Sequence, residues 1–344
     1  MRRLTCLLLS ALLLFCCTGC QREESASLEL FAMDTYMTLS ARGEGAQDAL
    51  TAVSREINRL EQLLSRTLPD SDVSRLNLQG AAQLNTDTAV LLQQAVALSR
   101  QTEGAFDVTI APLVNAWAIT SDTPRVPSPQ EIAQLLPLVG SDHITVTGST
   151  AQLDERCAID LGGIGKGYAS DRAAQLLKEH GIEHAAISLG GNVYVAGTRS
   201  DGTPWQVGLQ DPANTGSIAL RLALSDRFAV TSGGYQRYFT AEDGTVYQHI
   251  LDPKTGYPAQ SDLLSVTIVS RSGTAADAYS TALYVMGQQE AILFWKGLMA
   301  DGDPENDFDM ILINNQRQAL YTPGLAEQVT LEKESSYVLQ ALTA

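Results

Sequence analysis

Cys157-Ala158-Ile159-Asp160-Leu161-Gly162-Gly163-Ile164-Gly165-Lys166-Gly167-Tyr168 is the stretch on which the reading of this chain turns. Residues 158–161 read as a strand with Cys157 buried at its start, and residues 168–180, stopping at Gly181, read as a helix. Between them, four glycines allow backbone to approach a ligand closely, and a helix start behind such a loop favours anions. The spacing is neither a dinucleotide-binding fingerprint nor a Walker loop, since no Ser or Thr follows Lys166. On these residues alone, a tight turn and a phosphate cradle are both open.

Outward from this loop the two halves of the chain differ. Upstream, residues 28–40 alternate as two short strands around Asp34-Thr35, and helices follow. Leu50, Val53, Ile57, Leu60 and Leu64 step by three and four, which predicts an amphipathic helix. A second helix runs from an N-cap near Thr86 or Asp87 to Gly104, and Pro127-Ser128-Pro129 opens a third, short one. Downstream, strands dominate: residues 144–146, 185–189, 193–195, 205–209, 218–224, 228–231 and 263–270. A helix over 274–286 ends at Gly287, and 310–314 with 319–322 reads as a late hairpin. Helices first and antiparallel-looking strands later predict an α+β fold with mixed, largely antiparallel sheets and flanking helices, not a regular βαβ series. No linker or internal repeat divides the chain.

The 344 residues are 44% hydrophobic and 18% charged, a composition that folds. Lys+Arg 23 against Asp+Glu 39 gives a net charge of −16, the wrong sign for a nucleic-acid binder. The same acidity repels a phosphorylated ligand unless a metal or a well-placed cation receives it.

Residues 1–20 read as a targeting segment: Arg2 and Arg3, an apolar run over 7–15, then Cys17-Thr18-Gly19-Cys20. The run is too short for a spanning helix, which needs about 20 apolar residues. Small residues directly before Cys20 resemble a bacterial lipobox, with Cys17 where Leu is usual. The expectation is export and a lipid anchor at Cys20, so an extracytoplasmic protein held at the bacterial cell membrane. Residues 21–27 read as a tether, 28–325 as the working domain and 326–344 as a C-terminal tail in which 329–339 alternate weakly, as a candidate edge strand. Four of the five cysteines lie in the leader, so the mature domain has no disulfide framework and only Cys157 as a thiol.

Two further motifs carry candidate chemistry. In Ala276-Asp277-Ala278-Tyr279-Ser280-Thr281, Asp277 and Thr281 are four apart and share a helix face. A carboxylate and a hydroxyl there suit Mg²⁺ with substrate phosphates; a helix cap with a surface Thr is the bland alternative. In Tyr247-Gln248-His249-Ile250-Leu251-Asp252-Pro253-Lys254-Thr255-Gly256, His249 stands just before a defined turn as a candidate general base or a structural histidine.

In combination and order these motifs resemble the ApbE family of FAD:protein FMN transferases. The resemblance runs through D-L-G-G-I-x-K-G-Y-A (160–169), S-G-x-Y-x-R-Y-F (232–239), H-I-x-D-P-x-T-G (249–256) and A-D-A-x-x-T-A-L (276–283). Met33-Asp34-Thr35-Tyr36-Met37 matches an opening segment, with Asp34 where Gly is common, and Ala105-Phe106-Asp107-Val108-Thr109-Ile110-Ala111-Pro112-Leu113-Val114-Asn115-Ala116-Trp117 matches another. The resemblance implies an enzyme that binds FAD, splits its pyrophosphate with Mg²⁺ and attaches FMN to a Thr or Ser hydroxyl of a partner flavoprotein, releasing AMP. It implies Asp277, Thr281 and the Gly163 carbonyl as metal ligands and His249 as the base for the acceptor hydroxyl. Met33, Ala105, Phe106, Asp107, Asp160, Lys166, Leu251 and Ser280 match positions that contact FAD. A family aromatic after L-L-S-T falls near Thr67 in Leu63-Leu64-Ser65-Arg66-Thr67. The implied acceptor carries a short Asp/Ser/Thr-rich motif and belongs to a membrane electron-transport complex. An FAD pyrophosphatase that gives FMN and AMP shares every motif, and a non-enzymatic FAD-binding lipoprotein is the other alternative.

Overall fold

The computed structural model of the chain describes residues 24–302 and 307–343. The export and lipidation reading on residues 1–20, and residues 21–23 of the tether, lie outside the described residues.

A hairpin of β1 (Ser25–Ala32) and β2 (Thr35–Arg42) leads into α1 (Ala46–Leu64), α2 (Asp72–Gln79), β3 (Ala81–Gln83) and α3 (Thr86–Gln101). The short helices α4 (Ala111–Trp117) and α5 (Pro129–Leu135) precede β4 (Ile144–Thr147) and β5 (Thr150–Leu153). Next come α6 (Gly165–Glu179), β6 (His184–Leu189), β7 (Asn192–Ala196), β8 (Trp205–Asp211), β9 (Asn214–Leu224) and β10 (Arg227–Gly233). The small hairpin β11 (Tyr238–Thr240) and β12 (Val246–Gln248) is followed by β13 (Leu263–Ser270) and α7 (Gly273–Asp301). β14 (Phe308–Asn314), β15 (Gln318–Tyr321), β16 (Val329–Leu331) and β17 (Val338–Ala341) complete the chain.

The main sheet has the order β1-β2-β6-β7-β10-β13-β14-β15-β17, and every described pairing is antiparallel except that of β15 with β17. Two smaller sheets, β3-β5-β4 and β16-β9-β8, stand beside it. The α+β class read from the sequence is the observed one.

Alternation explains the layering. On the central strands, Phe228, Val230, Val266, Ile268, Met310 and Leu312 belong to the core that also holds the apolar faces of α1, α6 and α7. Their neighbours Ala229, Val269, Ile311 and Ile313 point the other way, into a second core with Leu220 and Leu222 of β9. The middle of the sheet is therefore apolar on both faces, covered by helices on one side and by β16-β9-β8 on the other. The predicted stripe of α1 is fully enclosed at Leu50, Val53, Ile57 and Leu60, each contributing about 1.5–3 kcal/mol of transfer free energy.

Several expectations need correcting. Residues 158–161 are not a strand. The Asn77 side chain takes the place of a strand partner, accepting from the Ile159 N–H at 2.7 Å and donating to its carbonyl at 2.9 Å. Asp160 N–H donates to the Val108 carbonyl at 2.7 Å. Cys157 is buried as expected, but in irregular chain. The tether assigned to 21–27 is too long, because β1 already pairs from Ser25 opposite Arg42. The tail supplies edge strands, as the alternation of 329–339 suggests: Val329 packs in the second core, β16 pairs with β9, and β17 extends the main sheet beside β15. The cap of α3 is Asn85, whose side chain accepts from Asp87 N–H, and the helix ends at Gln101, short of Gly104. α6 starts at Gly165, three residues before the predicted Tyr168. α7 breaks at Gly287 (φ 76°), as the glycine predicts, but helix resumes to Asp301.

Candidate functional site

One end of the main sheet carries a cavity of about 1110 Å³. The β1–β2 turn, the β6–β7 turn and the C-terminal end of β10 all reach it, joined by the loop after α1, residues 105–107, the loop into α6, residues 249–253 and the start of α7. Cavities of this kind range over about 300–1,000 Å³, so this one has room for a large ligand or for two that meet.

The glycine loop read first is a wall of this cavity. Gly167 N–H donates to Asp277 Oδ2 at 2.8 Å, tying the first turn of α6 to α7. Only glycine permits it: a Cβ at 167 would overlap the Gly273 carbonyl oxygen and stand 2.7 Å from Asp277 Cβ. Asp277 is 3% exposed yet lines the cavity, and Thr281 lies one helical turn on. Gly163 sits against this turn, since a Cβ there would be 3.8 Å from Thr281 Oγ1 and 3.3 Å from Phe106 Cε2. Lys166, also in the first turn of α6, reaches the Gly162 carbonyl at 3.3 Å and makes no salt bridge among the described residues.

The carboxylates near this wall are differently placed. Asp160 is engaged by Arg66 Nε at 2.8 Å and accepts from Gly162 N–H at 2.8 Å. Arg66 is also held by Asn115 Oδ1, at 2.6 Å. Asp107 is buried, accepting from Ser99 Oγ at 2.7 Å and from Thr109 N–H at 2.8 Å, which fixes the Ala105-Phe106-Asp107 segment. Met33 N–H donates to Glu61 Oε1 at 2.7 Å, joining the β1–β2 turn to α1.

His249 lines the same cavity. Its main-chain N–H donates to the Arg237 carbonyl at 3.0 Å, and its Nδ1 lies 3.1 Å from the same oxygen. A carbonyl only accepts, so Nδ1 carries the proton and Nε2 keeps its lone pair. Burial pushes the imidazole down to about 4; the hydrogen bond to the carbonyl opposes this, and the positive charges of Arg237 and Lys166 add to it. His249 is therefore neutral at pH 7. The turn that follows is locked: Asp252 Oδ1 accepts from Lys254 N–H at 2.8 Å and Oδ2 from Thr255 Oγ1 at 2.9 Å, while buried Trp117 donates its indole N–H to the Gly256 carbonyl at 2.8 Å.

Residues 33–301 match the ApbE family. The chain belongs to this family. Relatives called FAD:protein FMN transferase include one from Vibrio cholerae, 32% identical over 70% of this chain and 74% of its own. One from Treponema pallidum is 34% identical over 71% and 72%. Among solved structures, the ApbE protein of Thermotoga maritima superposes with a TM-score of 0.77 at 29% identity, over 90% of this chain and 97% of its own. The flavin transferase ApbE of Vibrio cholerae gives 0.75 at 27%, over 91% and 98%.

Of the residues matched to ApbE motifs, Met33, Ala105, Phe106, Asp107, Asp160, Gly163, Lys166, His249, Leu251, Asp277 and Thr281 line this one cavity. Ser280 stands behind the wall, fully buried, with its hydroxyl 2.8 Å from Ser232 Oγ and donating to the Asp277 carbonyl at 2.9 Å. Thr67 is at the rim and exposed. Glu61, Arg66 and Asn192, to which sequence reasoning gave no part, also line the cavity, as does Arg237, matched there only as the arginine of S-G-x-Y-x-R-Y-F. Glu61 had a signal: it follows Ile57 by four, so it puts a carboxylate on the buried face of α1.

The oxygen donors Asp277, Thr281 and the Gly163 carbonyl fit Mg²⁺, a hard cation that uses one or two carboxylates and completes its shell with water and substrate phosphate. Among the described residues no cluster of three His, Cys, Asp or Glu side chains could hold a metal without such help.

Proposed function

We propose that this chain transfers FMN from FAD to a Thr or Ser hydroxyl of a partner flavoprotein, with Mg²⁺ and with release of AMP. Family membership makes the chain an FAD:protein FMN transferase; the phosphoester linkage, the metal and the leaving group are what the ApbE resemblance implies, and the residues lining the cavity support them. One observation carries the reading: a neutral histidine whose Nε2 makes no hydrogen bond among the described residues lines the same cavity as Lys166, Asp277 and Thr281.

In that reaction the acceptor oxygen attacks the phosphorus on the FMN side. The O–H proton goes to His249 Nε2, a P–O bond forms, and the bond to the bridging oxygen breaks so that AMP departs with that oxygen. Mg²⁺ held by Asp277, Thr281 and the Gly163 carbonyl would spread the developing charge on the diphosphate. Lys166, on the first turn of α6, adds a cation and a helix start to the side that receives the diphosphate. Met33, the 105–107 segment, Asp160 and Leu251 would bound the nucleotide, and Ser280 would act through Ser232.

The proposal extends to location: export, with lipid at Cys20. β1 pairs from Ser25, so the working domain would stand close to the membrane surface and meet an acceptor of a membrane electron-transport complex there. The test is the intact mass of a candidate acceptor domain after incubation with the chain, FAD and Mg²⁺. An added FMN phosphoester mass that disappears with chelator supports the proposal. Free FMN and AMP with an unmodified acceptor favour hydrolysis, and unchanged FAD favours a binder.

A further inference from the structure

The two-residue β1–β2 turn has positive φ at both residues, Met33 at 50° and Asp34 at 57°, as a tight hairpin loop matched to the twist of its strands requires. Aspartate tolerates this conformation, and what marks the turn is the partner its side chain finds. Asp34 is engaged twice by Arg237: one guanidinium nitrogen donates to its carboxylate and another to its main-chain carbonyl. Arg237 in turn offers its own carbonyl to both the main-chain N–H and the Nδ1 of His249. A continuous path therefore runs from the turn carrying Met33, through Asp34 and Arg237, to the imidazole. The pair spans 203 residues of sequence and joins the first hairpin to the segment between β10 and β11.

We propose that Asp34 and Arg237 are positioning residues for His249: their two-pronged contact holds the Arg237 carbonyl where it keeps the imidazole proton on Nδ1 and leaves Nε2 for the acceptor hydroxyl. The inference rests on the reading of His249 as the proton acceptor. It goes beyond that reading by making the first hairpin, whose Met33 lies at the nucleotide wall, part of what aligns the base. The pair is solvent-exposed, and an exposed pair is worth at most about 1 kcal/mol, so its loss is expected to lower the rate up to about fivefold.

The experiment compares wild type with Asp34→Gly, Asp34→Asn and Arg237→Gln. Glycine adopts φ 57° freely, so the Asp34→Gly chain keeps the turn and loses only the carboxylate. Expected are a three- to fivefold lower kcat for FMN transfer with KM for FAD within twofold of wild type, and recovery in Asp34→Asn, which keeps a side-chain acceptor. ¹⁵N spectra of the His249 ring are expected to give one Nδ1–H tautomer in wild type and a mixture in Asp34→Gly and Arg237→Gln. The double variant Asp34→Gly/Arg237→Gln should be no slower than the slower single one. An unchanged kcat in Asp34→Gly, a loss confined to KM, or a slower enzyme whose ring stays wholly Nδ1–H would overturn the proposal. His249→Ala separates the two levels: if that variant transfers FMN at the wild-type rate, the base assignment fails, while the tautomer spectra still decide whether Asp34 and Arg237 orient the ring.

Discussion

The imidazole of His249 offers the most direct quantitative test. Its proton affinity falls from an ordinary 6.5 to about 4 in the folded chain, chiefly because burial disfavours the charged ring. Between those values the unfolded chain binds a proton that the folded chain refuses, so stability falls as the solution is acidified through that window and is recovered above it. Two to three pH units at 1.36 kcal/mol each give a loss of about 3 kcal/mol on going from pH 7 to pH 4. Buried Asp171 and Asp309 work in the opposite direction, since burial raises both carboxyls and their protonation favours the folded state on acidification. The measurement must therefore be a difference: urea unfolding of wild type and of His249→Gln from pH 4 to 8, with one curve subtracted from the other. The difference should be flat above pH 7 and grow to about 3 kcal/mol against wild type near pH 4. In parallel, kcat/KM for FMN transfer should stay level from pH 7 down to about 5, because the base remains unprotonated there. A difference curve that is flat throughout, or a rate that bends near pH 6.5, would refute the picture of a histidine kept neutral by burial.

Other expectations follow from the same geometry. Asp277→Asn should remove metal-dependent release of AMP from FAD while leaving the fold intact, because an amide oxygen can still accept from Gly167 N–H; AMP release at rising Mg²⁺ checks it. Gly167→Ala forces a Cβ against Gly273 and Asp277, so it should destabilise by about 1–3 kcal/mol in urea unfolding and depress transfer further than stability alone explains. Asn77→Ala strips the Ile159 N–H and C=O of their partners, which should cost about 2–4 kcal/mol and weaken FAD binding by loosening the loop at 160–167; wild-type stability would mean that solvent replaces the amide.

What the sequence revealed and what it hid have different physical causes. Helix α1 and strand β13 were legible because long stretches of side chains repeat with the period of the element that buries them. The Ser128 cap was legible because capping is local chemistry: its hydroxyl accepts from Glu131 N–H at 3.2 Å. Residues 158–161 misled because Ile159 and Leu161 are buried as a strand would bury them, while the hydrogen-bond partner is a side chain 82 positions away. β16 lies within the weakly alternating 329–339, but a three-residue strand has too little period to locate, and its place is decided by Val329 closing over β9. The site divides the same way. Asp277 and Thr281 are related by a helical turn within one motif. Asp34 with Arg237, and Arg66 with Asp160, meet only when the fold brings distant segments together.

Those two pairs also answer the electrostatic difficulty that the composition raises. A chain of net charge −16 repels a diphosphate at long range, and the cavity walls carry carboxylates of their own. Arg66 offsets Asp160 and Arg237 offsets Asp34, so two acidic residues of the lining present closed ion pairs to the interior. Lys166 makes no salt bridge among the described residues, and the Asp277 carboxylate accepts from the Gly167 main-chain N–H. The cavity thus keeps Lys166 outside any described ion pair, beside the carboxylates of Glu61, Asp107 and Asp277, which neutral donors hold, and a histidine kept neutral. Adding salt tests this arrangement. Screening weakens the long-range repulsion of the whole chain more than it weakens contacts inside the cavity, so FAD association should quicken between 20 and 200 mM salt, as estimated from the Debye length of roughly 20 Å falling to about 7 Å. An association rate that instead falls with salt would mean that the cavity mouth is locally positive and steers the ligand in, and the account of a repulsive exterior with a welcoming wall would have to be abandoned.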